Sequence, residues 1–430
     1  MGVWRGPLAI VGVVAVSLLN PDRIIRLVSR FDIADSLPPS TGGTTSWGNK
    51  LKDMGLRYHL GASFVVVVSP EEPRDSEWLA SVFRKNTDVF RTIVFEHGAL
   101  IFRGFDVPDA LSFEKVALAV NPELETVYLG TSPRSNIGGT TYVHTAADFS
   151  PHRTVPAHLE MSFRDAPPQM QIFYASRMDQ KIGGETPLTD FHGVWVTLQE
   201  QESFRKRYED KQVKYIRNND DCSSTSKIDP LVQKCWQEMF KTDNRTAVLE
   251  ACAAEKFECT WDERNRLTMT NLQPFVRRHP VSDKPVWFNH INVLHKDSMA
   301  LDYERTAVLW GGLYGLWPMM LGIYYRSLFG LLGLFWPETA LGSTTTFERG
   351  ETIPPEDFYA MKRAIWRNSF HQPYQVHDVI VIDNLRVGHG REIYTGPKVS
   401  RQVMTAWSDL YPAHWVSDRS TLSDATSAVQ

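Results

Sequence analysis

The chain is poor in cysteine, has no internal repeat or low-complexity tract, and carries no basic surplus. Without a recurring unit, a repeat solenoid is disfavoured. With 46 Lys and Arg against 50 Asp and Glu, the formal net charge is -4. The electrostatic footprint of a nucleic-acid binder is missing, so no nucleic-acid partner is expected. The four cysteines, Cys222, Cys235, Cys252 and Cys259, share one short window. None forms a C-x-x-C pair, which leaves a structural zinc site unsupported. Their even number invites disulfides. A chain of 430 residues, 42% hydrophobic, has core enough to need no staples, so free thiols are expected. One N-glycosylation sequon, Asn244-Arg245-Thr246, is present; such triplets arise easily by chance.

Long hydrophobic runs are scarce, and both of them are irregular. The first, Pro7 to Leu19, follows Arg5 and precedes Arg23, Arg26 and Arg30. It is too short for a comfortable span and suits a signal-peptide core or a short anchor, although no small-x-small cleavage site follows. As an uncleaved anchor it would leave the remainder cytosolic; as a signal it would send the chain to the secretory lumen. Gly2 lacks the Ser or Thr at position 6 that myristoylation needs. Residues 1–45 thus read as a leader or anchor plus the linker Leu37 to Gly43, and 416–430 as a polar tail. The second run, Ala307 to Trp336, has Arg326 as its only charge. Residues 307–325 are nominally long enough to span, but Pro318 and four glycines argue against a straight helix.

Between these runs, residues 64–70, 98–105, 170–178, 285–295 and 378–384 read as strands, β-branched and bounded by turn formers. Residues 76–94, 247–256 and 354–368 have helical periodicity. Irregularly spaced strands with helices before and between them predict an α+β chain built on a sandwich or barrel.

The chemistry begins in "VPAHLEMSF". His158 and Glu160 lie two apart, so on a strand both face one side. Alone the pair is as compatible with a surface as with a metal. "DNLRVGHGREIYTGPKVSRQV" then brings His389 at the end of an apolar strand. Two histidines and a carboxylate form the facial triad of non-haem Fe(II) oxygenases, with positions left open for a bidentate co-substrate and dioxygen. Such a co-substrate needs a cation for its far carboxylate; Arg401, twelve residues on, offers a guanidinium. Thr186 in "GGETPLTD" offers a hydroxyl beside a turn that Gly183 and Gly184 allow. Arg391 can reach a substrate. Asn384 orders the turn into the site, Asn289 is a core or pocket residue, and His144 and His152 are structural.

Together "VPAHLEMSF", "KIGGETPLTD", "CWQEMFKTDNRTAVLEAC", "HPVSDKPVWFNHINVLH" and "VIDNLRVGHGREIYTG" resemble the taurine dioxygenase / clavaminate synthase-like family of Fe(II)- and 2-oxoglutarate-dependent oxygenases, across roughly residues 95–410. The resemblance implies a double-stranded β-helix, or jelly roll, with flanking helices and insertions. It implies His158, Glu160 and His389 as iron ligands and Thr186 and Arg401 as the 2-oxoglutarate clamp. Glu160 points to the clavaminate synthase-like branch and away from the halogenases, which have a small residue there. Three departures stand out: Ile393-Tyr394 replaces Pro-Phe, His377-Asp378 replaces Gly-Asp, and 307–336 is an insertion. A single crossing at 307–325 would put the ligands on opposite sides of a membrane, so the insertion is read as a lid or an interfacial element within one oxygenase domain, 46–415. The implied reaction is hydroxylation or desaturation of an unactivated C–H bond in a small molecule, with 2-oxoglutarate and O2 consumed. The alternatives are an inactive jelly-roll binding or membrane scaffold protein, and a metal-dependent hydrolase.

Overall fold

The computed structural model describes residues 45–411 except 127–133, 225–227 and 232–233. The two terminal segments, and with them the leader, anchor and tail readings, lie outside the described residues. Among the described residues, the centre is a pair of facing sheets. The larger has seven strands, in the spatial order Leu56–Ala62, Val65–Pro70, Ala99–Phe102, Val379–Asp383, Met170–Met178, Arg401–Ser408 and His144–Thr145. The smaller has four, in the order Ser369–Phe370, Leu188–Asp190, Val387–Arg391 and Val155–His158. This is the jelly-roll core of an α+β chain.

Alternation explains why the larger sheet reads as continuous apolar runs. Val66, Val68, Leu100, Phe102, Ile172, Tyr174, Val379 and Val381 point to one face and pack under the helices Ser76–Lys85, Thr87–His97 and Ala110–Val120. Val65, Val67, Ala99, Ile101, Phe173, Ala175, Ile380 and Ile382 point to the other face and meet Leu188 and Val387 of the smaller sheet. Both faces are buried, so both sets of positions must be apolar. Each such side chain contributes roughly 1.5–3 kcal/mol by leaving water.

The strands expected at 64–70, 98–105, 170–178 and 378–384 and the helices expected at 247–256 and 354–368 are present within a few residues. Two expectations change. The periodic stretch 76–94 is two helices, broken at Asn86, whose Nδ2 donates to the Val82 carbonyl at 3.0 Å. The stretch 285–295 is a strand only at Pro285–Val286. Asn289 then turns the chain by accepting from Ile291 N at 3.3 Å, and a short helix, Ile291–Leu294, follows.

The free-thiol expectation is overturned. Cys222 is bonded to Cys235 and Cys252 to Cys259, and no cysteine is free. The size of the whole chain was the wrong measure. These cysteines sit in a lobe whose own core is five buried residues, Trp236, Val248, Cys252, Leu267 and Met269. A core that small is marginal. Closing a loop of near fifteen residues stabilises by about 3 kcal/mol in the chain-entropy picture.

The insertion is a helical hairpin, Ser298–Trp310 and Gly312–Leu332, joined at Gly311. No described helix is long and apolar enough to cross a membrane. The glycines do not break the second helix; they let it approach the first. A Cβ on Gly315 would sit 2.3 Å from the Ala307 carbonyl oxygen, and one on Gly322 would sit 2.9 Å from Glu304 Cγ. Arg326, the one charge of the run, is bidentate to Glu304 at 2.8 and 2.7 Å.

Candidate active site

His158 ends its strand, and Glu160 lies in the turn beyond it, not on the strand. The shared orientation expected from strand alternation is therefore made by the turn. Met161, at φ 51°, adopts the left-handed backbone that bends the chain there. Asn384 holds this turn at both ends: Oδ1 accepts from Glu160 N at 2.7 Å, and Nδ2 donates to the carbonyls of Glu160 (3.1 Å) and Pro168 (2.6 Å).

His389 lies directly opposite His158 across the antiparallel ladder, with ring centroids 4.5 Å apart. The glycines beside it make that approach possible. A Cβ on Gly388 would meet the His158 carbonyl oxygen at 2.6 Å, and one on Gly390 would meet that of Val155 at 2.8 Å. The three side chains are buried, and their ligand atoms lie within 4.8 Å of one another. His389 Nε2 is 3.6 Å from Glu160 Oε2. His158 Nδ1 lies 2.9 Å from the Pro156 carbonyl, to which it donates, so Nε2 presents the lone pair. Burial above all holds His158 below the usual histidine range, and burial with the nearby His158 holds His389 well below it. Both are thus neutral imidazoles, the form that binds a metal. Two neutral imidazoles and one carboxylate converging on one point fit Fe(II).

Thr186 and Arg401 also meet. Arg401 Nη2 donates to Thr186 Oγ1 and Nε to the Gly184 carbonyl, each at 2.6 Å. Gly183 and Gly184 have φ of 75° and 79°; a Cβ on Gly183 would meet the Ile393 carbonyl oxygen at 2.1 Å. Arg391 and Arg401 both approach Tyr394, 5.7 and 6.0 Å from its ring. Burial, then the neighbouring Arg391, lowers the Arg401 pKa to about 10. Neither guanidinium has a carboxylate partner among the described residues, so the site is short of an anion. Arg391 lines the cavity, but its Nη atoms donate to three backbone carbonyls, those of Phe149 (3.3 Å), Ser150 (2.7 Å) and Arg153 (2.6 Å). The segment it holds forms the cavity rim. The cavity measures about 360 Å³ and is lined by His158, His389, Thr186, Arg401, Arg391 and Phe173, among others.

A model of the taurine catabolism dioxygenase TauD, TfdA family matches residues 68–407. The chain belongs to that family. Among TauD/TfdA relatives, the dapdiamide synthesis protein DdaC of Enterobacter agglomerans is 27% identical over 75% of this chain and 85% of its own. A clavaminate synthase-like protein of Arabidopsis thaliana is 24% identical over 71% and 81%. PvcB of Pseudomonas aeruginosa, an Fe, alpha-ketoglutarate dependent oxygenase from an isonitrile synthetic pathway, superimposes with a TM-score of 0.44 and 14% identity, over 86% of this chain and 95% of that one. As a TauD/TfdA protein the chain is an Fe(II)- and 2-oxoglutarate-dependent oxygenase that uses O2 on a small molecule.

Three neighbours of the TauD/TfdA triad carry no spacing signal in the sequence. Arg134 Nη2 lies 2.5 Å from Glu160 Oε2, and Gln171 Nε2 lies 3.4 Å from the same oxygen. His290 packs edge-on to His158 at 5.3 Å, with its Nδ1 3.1 Å from Ser162 Oγ. Asn289, beside it, donates to the Phe275 carbonyl and belongs to the core. His144 packs tilted against Trp407 at 4.8 Å, and His152 meets Trp317 of the hairpin at 5.8 Å. The family's Gly-Asp also finds its reason: His377 has φ 72°, where glycine is the unstrained residue. Asp378 is bidentate to Arg103, at 3.0 and 2.6 Å.

Proposed function

We propose that residues 46–415 act as one oxygenase domain. In it His158, Glu160 and His389 hold the iron, Thr186 and Arg401 hold the far carboxylate of 2-oxoglutarate, and Arg391 is a positioning residue for the rim. The observation that carries this reading is the clustering of the three triad side chains beside a cavity that His158, His389, Thr186 and Arg401 line. Bound there, iron with 2-oxoglutarate and O2 supplies the oxidising power that takes hydrogen from a C–H bond while 2-oxoglutarate is decarboxylated to succinate. The chain's own contribution is positional. His158 and His389 stay neutral at working pH, Asn384 fixes the backbone of Glu160, and Arg401 meets the co-substrate bidentately. Phe173, Val155 and Val403 line the cavity and exclude water from the reacting carbon.

The substrate is a small organic acid or amino-acid-like molecule. The cavity is at the small end of ligand sites, and Arg391 and Arg401, neither with a carboxylate partner among the described residues, put two guanidiniums in its lining. Hydroxylation is the expected outcome, and desaturation the runner-up. The three candidate ligands cluster and four of the five expected site residues line one cavity, which speaks against the inactive-scaffold reading. The test is Fe(II)-dependent succinate release with a panel of amino and carboxylic acids. Arg401→Ala should abolish 2-oxoglutarate binding in calorimetry yet still bind metal. If it binds 2-oxoglutarate as tightly as the native chain, the clamp is misassigned.

The hairpin is proposed as an interfacial element that also backs the rim. Tyr303 donates to the His152 carbonyl at 2.8 Å and so ties the hairpin to the rim segment. The hairpin and the residues just after it also expose Leu313 (84%), Leu334 (77%) and Phe335 (75%), with Tyr314 beside Leu313 in sequence. Binding to neutral liposomes, lost in Leu313→Glu/Phe335→Glu, tests it. Equal recovery of both proteins in the liposome-free fraction would overturn it.

A further inference from the structure

The sequon counts for little as a triplet, but its place in the fold changes its weight. Asn244 stands exposed between the two disulfides, as the N-cap of the helix Arg245–Ala254. Its side chain is divided by atom. Oδ1 is engaged, accepting from Thr246 N at 2.9 Å and Ala247 N at 3.4 Å. Nδ2 makes no hydrogen bond to a described residue. The middle residue of the sequon is turned away: Arg245 lies over the Trp261 ring at 5.2 Å and donates to Asn265. Thr246 is exposed. A group attached at Nδ2 would therefore leave the cap intact and point into solvent. The described residues of the lobe, 222–269, supply none of the cavity lining, so a bulky attachment there would not obstruct the active site.

The disulfides are the independent observation. Thiols in a reducing cytosol stay reduced, whereas paired structural cysteines belong to secreted, lumenal or periplasmic proteins. Two bridges flank the sequon and staple a lobe with little core of its own. A chain that acquires them passes through an oxidising compartment, which in eukaryotic cells is also where Asn-x-Thr is modified.

We propose that Asn244 carries an N-linked oligosaccharide, added in the oxidising secretory compartment where Cys222–Cys235 and Cys252–Cys259 form. The donor is a lipid-diphosphate-linked oligosaccharide. A bond forms between Asn244 Nδ2 and the anomeric carbon, the bond from that carbon to the diphosphate oxygen breaks, one amide proton is lost, and the lipid diphosphate leaves. No redox change accompanies the transfer. Each disulfide forms by exchange with an oxidised protein disulfide, which accepts the two electrons and two protons. This assignment does not depend on the identity of the substrate or on the residue roles in the iron site.

The test uses the full chain, from Met1, expressed in a eukaryotic host. Peptide N-glycosidase F should increase the gel mobility of the native protein, and mass spectrometry should find aspartate at 244 afterwards. Asn244→Asp keeps the cap acceptor but removes the amide nitrogen, so it should show native thermal stability and no mobility change on treatment. Thr246→Ala should also lose the mobility change. Alkylation without reduction should label none of the four cysteines. A native protein whose mobility does not change overturns the glycan, and labelling of all four cysteines overturns the compartment. A change that persists in Asn244→Asp puts the sugar elsewhere and overturns the site.

Discussion

Strand Val379–Asp383 and strand Val387–Arg391 are separated by three residues, yet they follow opposite rules. The first lies in the larger sheet and is apolar on both faces, Val379 and Val381 under the helices, Ile380 and Ile382 towards the smaller sheet. The second, Val-Gly-His-Gly-Arg, gives up packing for approach. Its glycines bring it against the Val155–His158 backbone, and its histidine and arginine turn to the cavity. One sheet fixes the frame; the other spends its positions on chemistry, and the turn at Asn384 between them joins the two tasks.

That contrast can be broken from either side. The largest effect is expected at the smaller sheet: His389→Ala should lower Fe(II)-dependent succinate formation by at least about a hundredfold, while circular dichroism stays native. In the larger sheet, Ile380→Ala should cost about 2–5 kcal/mol in urea unfolding and leave turnover per folded molecule unchanged. If it instead abolished turnover in folded protein, the division would fail. At the junction, Asn384→Ala should weaken iron affinity about 10–100-fold in metal titration, with most turnover recovered at saturating iron.

Acid should also separate the two sides. His295, stacked on Phe358 at 3.7 Å, and His371, 3.0 Å from an Arg305 nitrogen, both belong to the side of the smaller sheet. Burial pushes each down to about 3, with Lys296 adding to it for His295 and Arg305 for His371. Unfolded, they titrate near the ordinary histidine value of about 6.5. Below that pH the unfolded chain binds protons that the folded chain refuses, so stability is full above it and falls as the pH drops towards 3. The melting temperature should therefore drop between pH 7 and 5, and hydrogen exchange should quicken first around 291–295 and 369–371. The smallest expected effect is at His377: His377→Gly relieves a left-handed backbone and should stabilise by up to about 1 kcal/mol.

The site was largely legible from the sequence because its signals are local. H-x-E, G-H-G-R and G-G-E-T each place one group at one turn or strand end, and their order along the chain pairs them. Arg134, Gln171 and His290 were not legible, because each reaches the triad through a side chain from a segment with no spacing relation to it. The cysteines misled for a related reason. Composition reports the core of the whole chain, while the need for staples is set by the small lobe that holds them. In the apolar insertion, composition marked the run, but Pro318 and the glycines could not be read as helix-compatible until their partner helix was in place.

The sequence by itself determined the residue types at the candidate site, the apolar strands and their order, since residue chemistry and the two-residue period of a strand are local properties. Only the tertiary structure decided that Glu160 acts from a turn, that Arg391 spends its Nη donors on the rim, and that Asn244 leaves one amide nitrogen to solvent. Those outcomes rest on which distant backbone atoms claim each hydrogen bond, and that competition is settled only when the chain has folded.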